Sequence, residues 1–233
     1  MLDKDIRELL FDYLDERYGR VRTIEEKIIG RSRADVLAII DGAIIGMEIK
    51  SDSDSYTRLK SQVRSYDIYC NFNYVVVGES HIHVEEHVPS YWGIIYVNEE
   101  NVIVERDASP NPKVDILRQL DLLWRNELLN IQMKEGLPKL MNTRRKDIYQ
   151  RLIDTAGEPT IRADMTEQLM ERDYTLWDDK TYKSKVTSKS KTSARKKANS
   201  KSVLKTTHVI TGRKRKSNKA SNKSTKKVSN KNT

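Results

Sequence analysis

Two acidic residues and a lysine, Asp35, Glu48 and Lys50, are the side chains whose types and spacing point most directly to chemistry. Between the two acids lie two apolar, β-prone runs joined by Asp41-Gly42, a dipeptide that strongly predicts a two-residue hairpin turn. With this turn, Asp35 lies directly opposite Glu48. Their β-carbons would be about 5 Å apart, and like charges so placed are destabilising. The pattern therefore predicts a positively charged group that holds the two carboxylates together.

A divalent cation between the two carboxylates would remove this repulsion, because Mg²⁺ and Mn²⁺ prefer carboxylate, carbonyl and water oxygens. The carbonyl of Ile49 is a candidate third ligand. Lys50 lies on the same face as Glu48, roughly 6.6 Å along the strand, which is close enough to contact a phosphate. An isolated Glu-x-Lys triplet is more often a solvated strand or a weak surface ion pair. The prediction therefore depends on the register and on the neighbouring residues.

The predicted hairpin has one apolar face and one face with a charged end. The apolar face must lie against a core, and it carries Ala34, Val36, Ala38, Ile40, Ala43, Ile45, Met47 and Ile49. The opposite face is apolar near the turn and carries Arg33, Asp35, Glu48 and Lys50 at its open end. Gly46 is a candidate bulge, which would shift the register by one residue.

A family resemblance follows from these residues and the next helix. Asp35, Glu48-Ile49-Lys50 and Gln62-x-x-x-Tyr66 resemble the PD-(D/E)XK nuclease superfamily, in the QxxxY branch that includes RecB-type nucleases and lambda exonuclease. The run from Glu48 to Gln62 is more similar to a group of small bacterial and phage proteins of that superfamily. The motifs span about residues 20–80, and Ala34 stands where the superfamily name has Pro.

The resemblance implies a fold and an activity. The fold is α/β, a restriction-endonuclease-like αβββαβ core with a mixed central sheet. The activity is Mg²⁺- or Mn²⁺-dependent hydrolysis of DNA phosphodiester bonds, with RNA left open as a substrate. The alternative is a protein that keeps this fold and binds DNA in a regulatory role without cutting it.

The resemblance also implies roles for further residues. Gln62 would hydrogen-bond near the metal or the nucleic-acid backbone, and Tyr66 would pack or contact DNA. A further carboxylate is expected near the site; Glu25 and Glu26 both qualify, and Glu26 is preferred as a ligand for its spacing to the motif. Glu8 and Asp12 are rivals for this position. Arg33 and Arg58 are predicted nucleic-acid contacts.

Local patterns independently predict elements that agree with this core. Apolar spacing predicts a helix over 3–18, a strand over 21–29, and a helix that begins near Asp54 or Ser55. Further strands are predicted over 74–77, 93–97 and 102–105, and helices from about 113, from 142 or 143, and over 161–173. We predict three parts: a nuclease-like domain over 1–110, a helical extension over 111–178 and a disordered basic tail over 179–233.

Charge is divided sharply along the 233 residues. Residues 180–233 contain 19 Lys and Arg and no acid, whereas residues 1–179 contain 24 bases and 34 acids, for a net charge of +9. A Lys- and Ser-rich segment with few apolar residues is predicted to be disordered and to neutralise phosphates without reading sequence. Lys214, Arg215 and Lys216 are its densest candidate nucleic-acid contacts; a solubilising, targeting or nuclear-import role is the alternative.

Other features narrow the class of protein. The single Cys70 excludes an internal disulfide and lies on an apolar stripe, so we predict a core residue. Gly-rich phosphate loops and CxxC pairs are absent from the sequence, and the loose cluster of His81, His83 and His87 is interpreted as polar surface. No apolar run is long enough to span a bilayer, so we expect a cytoplasmic, nucleoid-associated protein, in the host cell if phage-encoded. The sequence carries no oligomer signature.

Overall fold

The computed structural model describes residues 2–78, 80–81, 83–139 and 143–173, and the chain up to Arg172 forms one compact unit. The helices are α1 (Asp3–Tyr18), α2 (Leu59–Tyr69), α3 (Ile116–Gln119), α4 (Arg125–Lys134), α5 (Arg145–Ala156) and α6 (Glu158–Met170). The strands are β1 (Arg22–Ile29), β2 (Ser32–Ile40), β3 (Ala43–Lys50), β4 (Phe72–Val77), β5 (Gly93–Val97) and β6 (Val102–Arg106). The predicted basic tail lies outside the described residues.

The six strands form one mixed sheet in the order β1-β2-β3-β4-β5-β6. The first three strands pair antiparallel, β3-β4 and β4-β5 pair parallel, and β5-β6 pair antiparallel. Because β3 and β4 are parallel neighbours, the chain crosses between them through α2, as a βαβ unit requires. The predicted α/β fold with a mixed central sheet and the αβββαβ element order is confirmed. Within the described residues, the helices are all too short or too polar to span a bilayer.

The predicted hairpin register is confirmed. Ile40 pairs with Ala43 and Leu37 pairs with Gly46, around a turn at Asp41-Gly42 in which Gly42 has φ +74°. This positive φ is a backbone conformation that glycine adopts without steric cost. No bulge shifts β2 against β3 over this ladder, so the faces of the residues from Val36 to Ile40 and from Ala43 to Met47 are as predicted.

The sheet has an apolar core on each face. On one face, α1 packs Ile6, Leu10 and Leu14 against the sheet; the strand residues there are Val36, Ala38, Ile45, Met47, Ile49, Tyr74, Val76, Ile95 and Val97. On the other face, α2 and the C-terminal helices cover the hairpin residues Leu37, Ile39 and Ile44. Ala34 packs in this second core, contrary to the predicted face. The reason is that neither neighbouring ladder is continuous at the adjacent Asp35.

Helix α2 lies unusually close to β3 because Gly46 has no side chain. A β-carbon at Gly46 would lie 2.4 Å from Cδ1 of Tyr66 and 2.7 Å from Sγ of Cys70. The helix begins at Leu59 after a 3₁₀ turn over Tyr56–Arg58, later than predicted. The carboxylate of Asp54, a predicted helix cap, instead accepts hydrogen bonds from Ser51.

The C-terminal helices complete the same core as α2. Leu128, Leu152 and Met165 are buried there with the hairpin residues. The long helix predicted from 113 is broken into α3, a 3₁₀ turn and α4, because Leu123 takes an extended conformation. Helix α6 begins at Glu158, with Pro159 in its first turn, where a missing backbone N–H costs nothing.

Candidate active site

Glu48 lies at the centre of the site, near the end of the central strand β3. Its side chain has no exposed surface, and Oε1 accepts a hydrogen bond from Nζ of Lys50. Within the described part of the chain, Oε2 is buried and has no hydrogen-bond partner. Burial, followed by the charge of Asp35, raises the pKa of Glu48 to about 7, against the opposing effect of Lys50. A buried carboxylate oxygen without a partner is costly to keep ionised, which agrees with the raised pKa.

Asp35 stands beside Glu48 on β2, where the hairpin ladder ends. The last ladder pair is Val36 with Met47, so the register places Asp35 and Glu48 at the next position. Oδ2 of Asp35 accepts a hydrogen bond from the backbone N–H of Ile49 at 2.8 Å. Burial raises the pKa of Asp35, an effect that this N–H and the charge of Lys50 partly offset. Asp35 also lines a cleft of about 540 Å³, so it is reached from solvent.

Lys50 and Gln62 connect the strand to helix α2. Nζ of Lys50 donates to Oε1 of Gln62 at 3.3 Å as well as to Glu48. Lys50 is almost wholly buried, whereas Gln62 lines the same cleft as Asp35. The structure therefore brings together four of the sequence-predicted residues: Asp35, Glu48, Lys50 and Gln62.

Tyr66 connects the two strands of the hairpin at the site and is fully buried. Its hydroxyl accepts a hydrogen bond from the backbone N–H of Asp35 at 3.0 Å and donates to the carbonyl of Met47 at 3.0 Å. Burial raises the pKa of this hydroxyl well above its ordinary value, so it stays a donor. With 0% of its surface exposed, Tyr66 cannot contact nucleic acid. The predicted nucleic-acid contact is wrong, and the packing alternative describes this residue.

Glu26 is held by arginines rather than by the carboxylate pair. Its two oxygens accept from Arg7 at 3.0 Å and from Arg33, and the residue has φ +54°. Glu25 accepts from the same Arg7 at 3.1 Å. Among the described residues, Glu26 does not join Asp35 and Glu48 in a group whose ligand atoms all lie within 4.8 Å of one another.

The remaining predicted contacts lie around the cleft or outside the described residues. Arg33 and Arg58 both line the cleft beside Asp35 and are exposed. The backbone N–H of Ile49 contacts Asp35, and the role predicted for its carbonyl as a ligand stays a prediction. Lys214, Arg215 and Lys216 lie outside the described residues.

Arg7 is a site residue that the sequence reasoning missed. Its Nη1 donates to the backbone carbonyl of Asp35 at 3.0 Å, while the same guanidinium binds Glu25 and Glu26. It thereby anchors α1 to β1 and to β2, next to Asp35. The local sequence gives no such signal, because Asp3 and Arg7 at i,i+4 spacing indicate an ordinary surface ion pair.

The histidines near the site are structural or exposed. Nε2 of His81 lies 2.8 Å from the carbonyl of Ser51, and Nδ1 lies 2.9 Å from the hydroxyl of Tyr56. His87 stacks on Tyr56. His83 lies with Glu85 and Glu86 in an exposed acidic group whose side chains face solvent. His81 thus fixes the loop that follows Lys50, a role other than the polar surface that the sequence indicated.

This arrangement combines a pair of carboxylates with an adjacent ammonium group. Two carboxylates with raised pKa values lie side by side, and one of their oxygens lacks a partner. Hard divalent cations prefer such oxygen ligands, so the donor set fits Mg²⁺ or Mn²⁺. The ammonium of Lys50 lies next to them and bonds both Glu48 and Gln62.

The sequence is similar to one protein family. A family model described as bacteriophage P4 protein cII matches residues 2–197. No curated protein matches the chain.

Two solved structures are similar to part of the chain. A protein of unknown function from Silicibacter pomeroyi is 20% identical, with a TM-score of 0.38, over 54% of this chain and 88% of that one. SfsA from Pyrococcus furiosus in complex with Ca²⁺ is 16% identical, with a TM-score of 0.25, over 48% of this chain and 62% of that one.

Proposed function

This chain belongs to the bacteriophage P4 protein cII family, and we propose that it is a metal-dependent nuclease that hydrolyses DNA phosphodiester bonds. The observation that carries the proposal is the buried Oε2 of Glu48, which has no partner in the described residues although Asp35 and Lys50 lie beside it. A purely structural hairpin has no need of two acids at this depth, because apolar residues of similar volume would be at least as stable.

Asp35 and Glu48 would hold one or two Mg²⁺ or Mn²⁺ ions. Such an ion lowers the pKa of a water and stabilises negative charge on a phosphate. The carbonyl of Ile49 is the candidate third ligand. Glu26 is the weaker candidate, because Arg7 and Arg33 already occupy its oxygens.

Each of the other site residues has a defined task in this proposal. Lys50 places a fixed positive charge against the reacting phosphate, the kind of preorganised group that stabilises developing charge. Gln62, which lines the cleft, accepts a hydrogen bond from Nζ of Lys50 at 3.3 Å and so holds the ammonium group in place. Tyr66 bonds both strands of the hairpin and so sets the spacing of the two acids.

DNA is the proposed substrate because exposed arginines surround the carboxylates. Arg33 and Arg58 line the cleft that Asp35 opens into, where they can bond phosphate oxygens on either side of the bond to be cut. The basic tail would add affinity without sequence preference.

The test is Mg²⁺- or Mn²⁺-dependent cutting of plasmid DNA by the full chain. Glu48→Gln should abolish cutting, and Lys50→Ala should slow it by about 10²–10³-fold, the usual effect of losing a preorganised charge. Glu86→Gln is the matched control, because Glu86 is exposed and does not line the site cleft. It should leave the cutting rate unchanged. Comparing closed circles with linear DNA distinguishes endonuclease from exonuclease activity, and RNA is tested in parallel.

Two outcomes would contradict the proposal. Cutting that survives both Glu48→Gln and Lys50→Ala would place the site elsewhere. DNA binding without cutting in either metal would instead favour a non-cleaving, regulatory role for this fold.

A further inference from the structure

A second cleft continues from the one beside the active site. The site cleft, of about 540 Å³, contains Asp35 and Gln62, and the outer cleft has a volume of about 620 Å³. They adjoin each other, because both are lined by Gly30, Arg31, Ser32 and Ser61. The two clefts therefore form one groove that leads away from the carboxylates, between the β1-β2 turn and the outer side of α2.

The outer cleft is positively charged. Arg31, Arg64 and Arg118 line it, and none of its lining residues is acidic. All three arginines are exposed, and within the described ranges neither Arg31 nor Arg64 forms an ion pair. Composition does not explain this, because residues 1–179 have ten more acids than bases. Unpaired guanidinium groups in a concave surface favour phosphate oxygens, which they bond in a bidentate geometry.

The outer cleft also offers polar and apolar surface at the scale of a nucleotide. Ile68, 39% exposed, and the largely buried Tyr69 are among its lining residues. Ser61 and Ser65 add polar surface, and their hydroxyls bond the carbonyl of Arg58 and the hydroxyl of Ser32, respectively. Alternating cations and apolar or aromatic surface is the arrangement that binds a nucleic-acid strand without reading its sequence.

We infer that this groove is the path of the substrate strand beyond the bond that is cut. This rests on the proposed function: the reacting phosphate lies at Asp35 and Glu48, and the next nucleotides on one side run through the outer cleft. Their phosphates bond Arg31, Arg64 and Arg118. The substrate is then a strand extending several nucleotides past the reacting phosphate, held by the folded domain as well as by the basic tail.

The first test measures binding by the full chain in the absence of divalent metal. Arg31→Ala/Arg64→Ala is compared with Lys146→Ala/Arg151→Ala, which removes the same charge from exposed positions on α5. Fluorescence anisotropy with a labelled single-stranded 20-mer is recorded over a range of salt. The groove pair should weaken binding at least about tenfold more than the control pair, and it should reduce the salt slope by about 1.4, two lost phosphate contacts. Equal losses from both pairs would overturn the inference and leave the tail as the binding element.

The second test localises the strand. Cys70 is fully buried, so Ser61→Cys introduces the accessible thiol, which is modified with a photo-crosslinking reagent. Crosslinking to DNA should be several-fold stronger from Ser61→Cys than from Gln150→Cys on α5, and the Arg31/Arg64 changes should suppress it. Equal crosslinking from both positions would overturn the path.

Neither test requires cutting, so the inference and the proposed function fail separately. A chain that crosslinks at Ser61 but cuts no DNA retains the groove and loses the nuclease activity. A chain that cuts DNA but does not crosslink there retains the activity and loses the path.

Discussion

The backbone N–H of Asp35 donates to the hydroxyl of Tyr66 at 3.0 Å, so a side chain from α2 lies between the two strands that carry the acids. The same hydroxyl donates to the carbonyl of Met47. It therefore connects the strands where their ladder ends. This bridge therefore joins the two strands directly beside Asp35 and Glu48.

Tyr66→Phe should test this bridge. Removing the hydroxyl leaves a buried N–H and a buried carbonyl unpaired, which should lower the free energy of unfolding by about 1–3 kcal/mol. It should also lower the affinity for Mn²⁺, because the spacing of Asp35 and Glu48 is no longer fixed. Urea unfolding and calorimetric Mn²⁺ titration measure the two effects. Tyr18→Phe, on α1, is the control, and a Tyr66→Phe chain that binds Mn²⁺ as tightly as the Tyr18→Phe chain would contradict the positioning role.

Gly46→Ala should damage the site through packing. The added methyl would meet the Tyr66 ring, Sγ of Cys70 and the side chain of Asn73 within 2.8 Å. Overpacking of this kind costs about 1–3 kcal/mol of unfolding free energy, and it should also move Tyr66 and reduce the cutting rate.

Gly42→Ala should show the effect of backbone strain alone on the free energy of unfolding, without overpacking. Nothing lies within 4 Å of its added methyl, but its φ is +74°, so it should cost about 1 kcal/mol of unfolding free energy with little change in cutting rate. Thermal unfolding and a plasmid assay, run on both glycine variants, check this contrast. Equal loss of cutting in the two variants would show that the close approach of α2 at Gly46 has no part in the site.

The stability of the metal-free chain should fall as pH rises toward neutrality. The pKa of Glu48 is raised from 4.5 to about 7, so the folded state holds this proton more tightly than the unfolded state does. The stabilisation is fully present below about pH 4.5 and is lost by about pH 7, a change on the order of 3 kcal/mol by linkage. Asp35, Lys50 and Tyr66 face Glu48, and the pKa of Asp35 is shifted in the same direction.

Urea unfolding from pH 4.5 to 8, without divalent metal, measures this change. Gln at this position does not titrate, so the difference in unfolding free energy between wild type and Glu48→Gln isolates the contribution of Glu48. This difference should be smallest at acid pH and grow toward neutral pH, where wild type becomes the less stable chain. Added Mg²⁺ should reduce the fall, because a cation stabilises the ionised carboxylates. Superimposable pH profiles for the two chains would refute the buried, proton-binding Glu48.

Substitutions of Asp35 on β2 and of Glu26 on β1 should have different effects on the affinity for Mn²⁺. Asp35→Asn should weaken Mn²⁺ binding by more than about 100-fold, because it removes a proposed ligand. Glu26→Gln should change it by less than about threefold, since its oxygens face Arg7 and Arg33. Calorimetric titration measures both. A large loss in Glu26→Gln would show that Glu26 leaves its arginines to bind the ion.

Much of the site could be predicted from short stretches of sequence. Asp41-Gly42 and the alternation of side-chain directions on either side of it predicted the hairpin register correctly. That register placed Asp35 and Glu48 at neighbouring positions. Helical spacing placed Gln62 and Tyr66 on successive turns of α2, and both face the hairpin. These predictions succeeded because turn chemistry and side-chain periodicity act over only a few residues.

Other features depended on contacts between elements far apart in the chain. Arg7 bonds the carbonyl of Asp35, 28 residues away in the chain. Arg31 and Arg118 line one cleft because α2 and α3 pack together on the sheet. The sequence by itself determined the strand register, the apolar faces and the pairing of the two acids. Only the tertiary structure decided that Tyr66 is buried, that Glu26 is bound by arginines and that a basic groove leads from the site. The reason is that local geometry sets the direction of each side chain, whereas its neighbours depend on how the helical layers pack on the sheet.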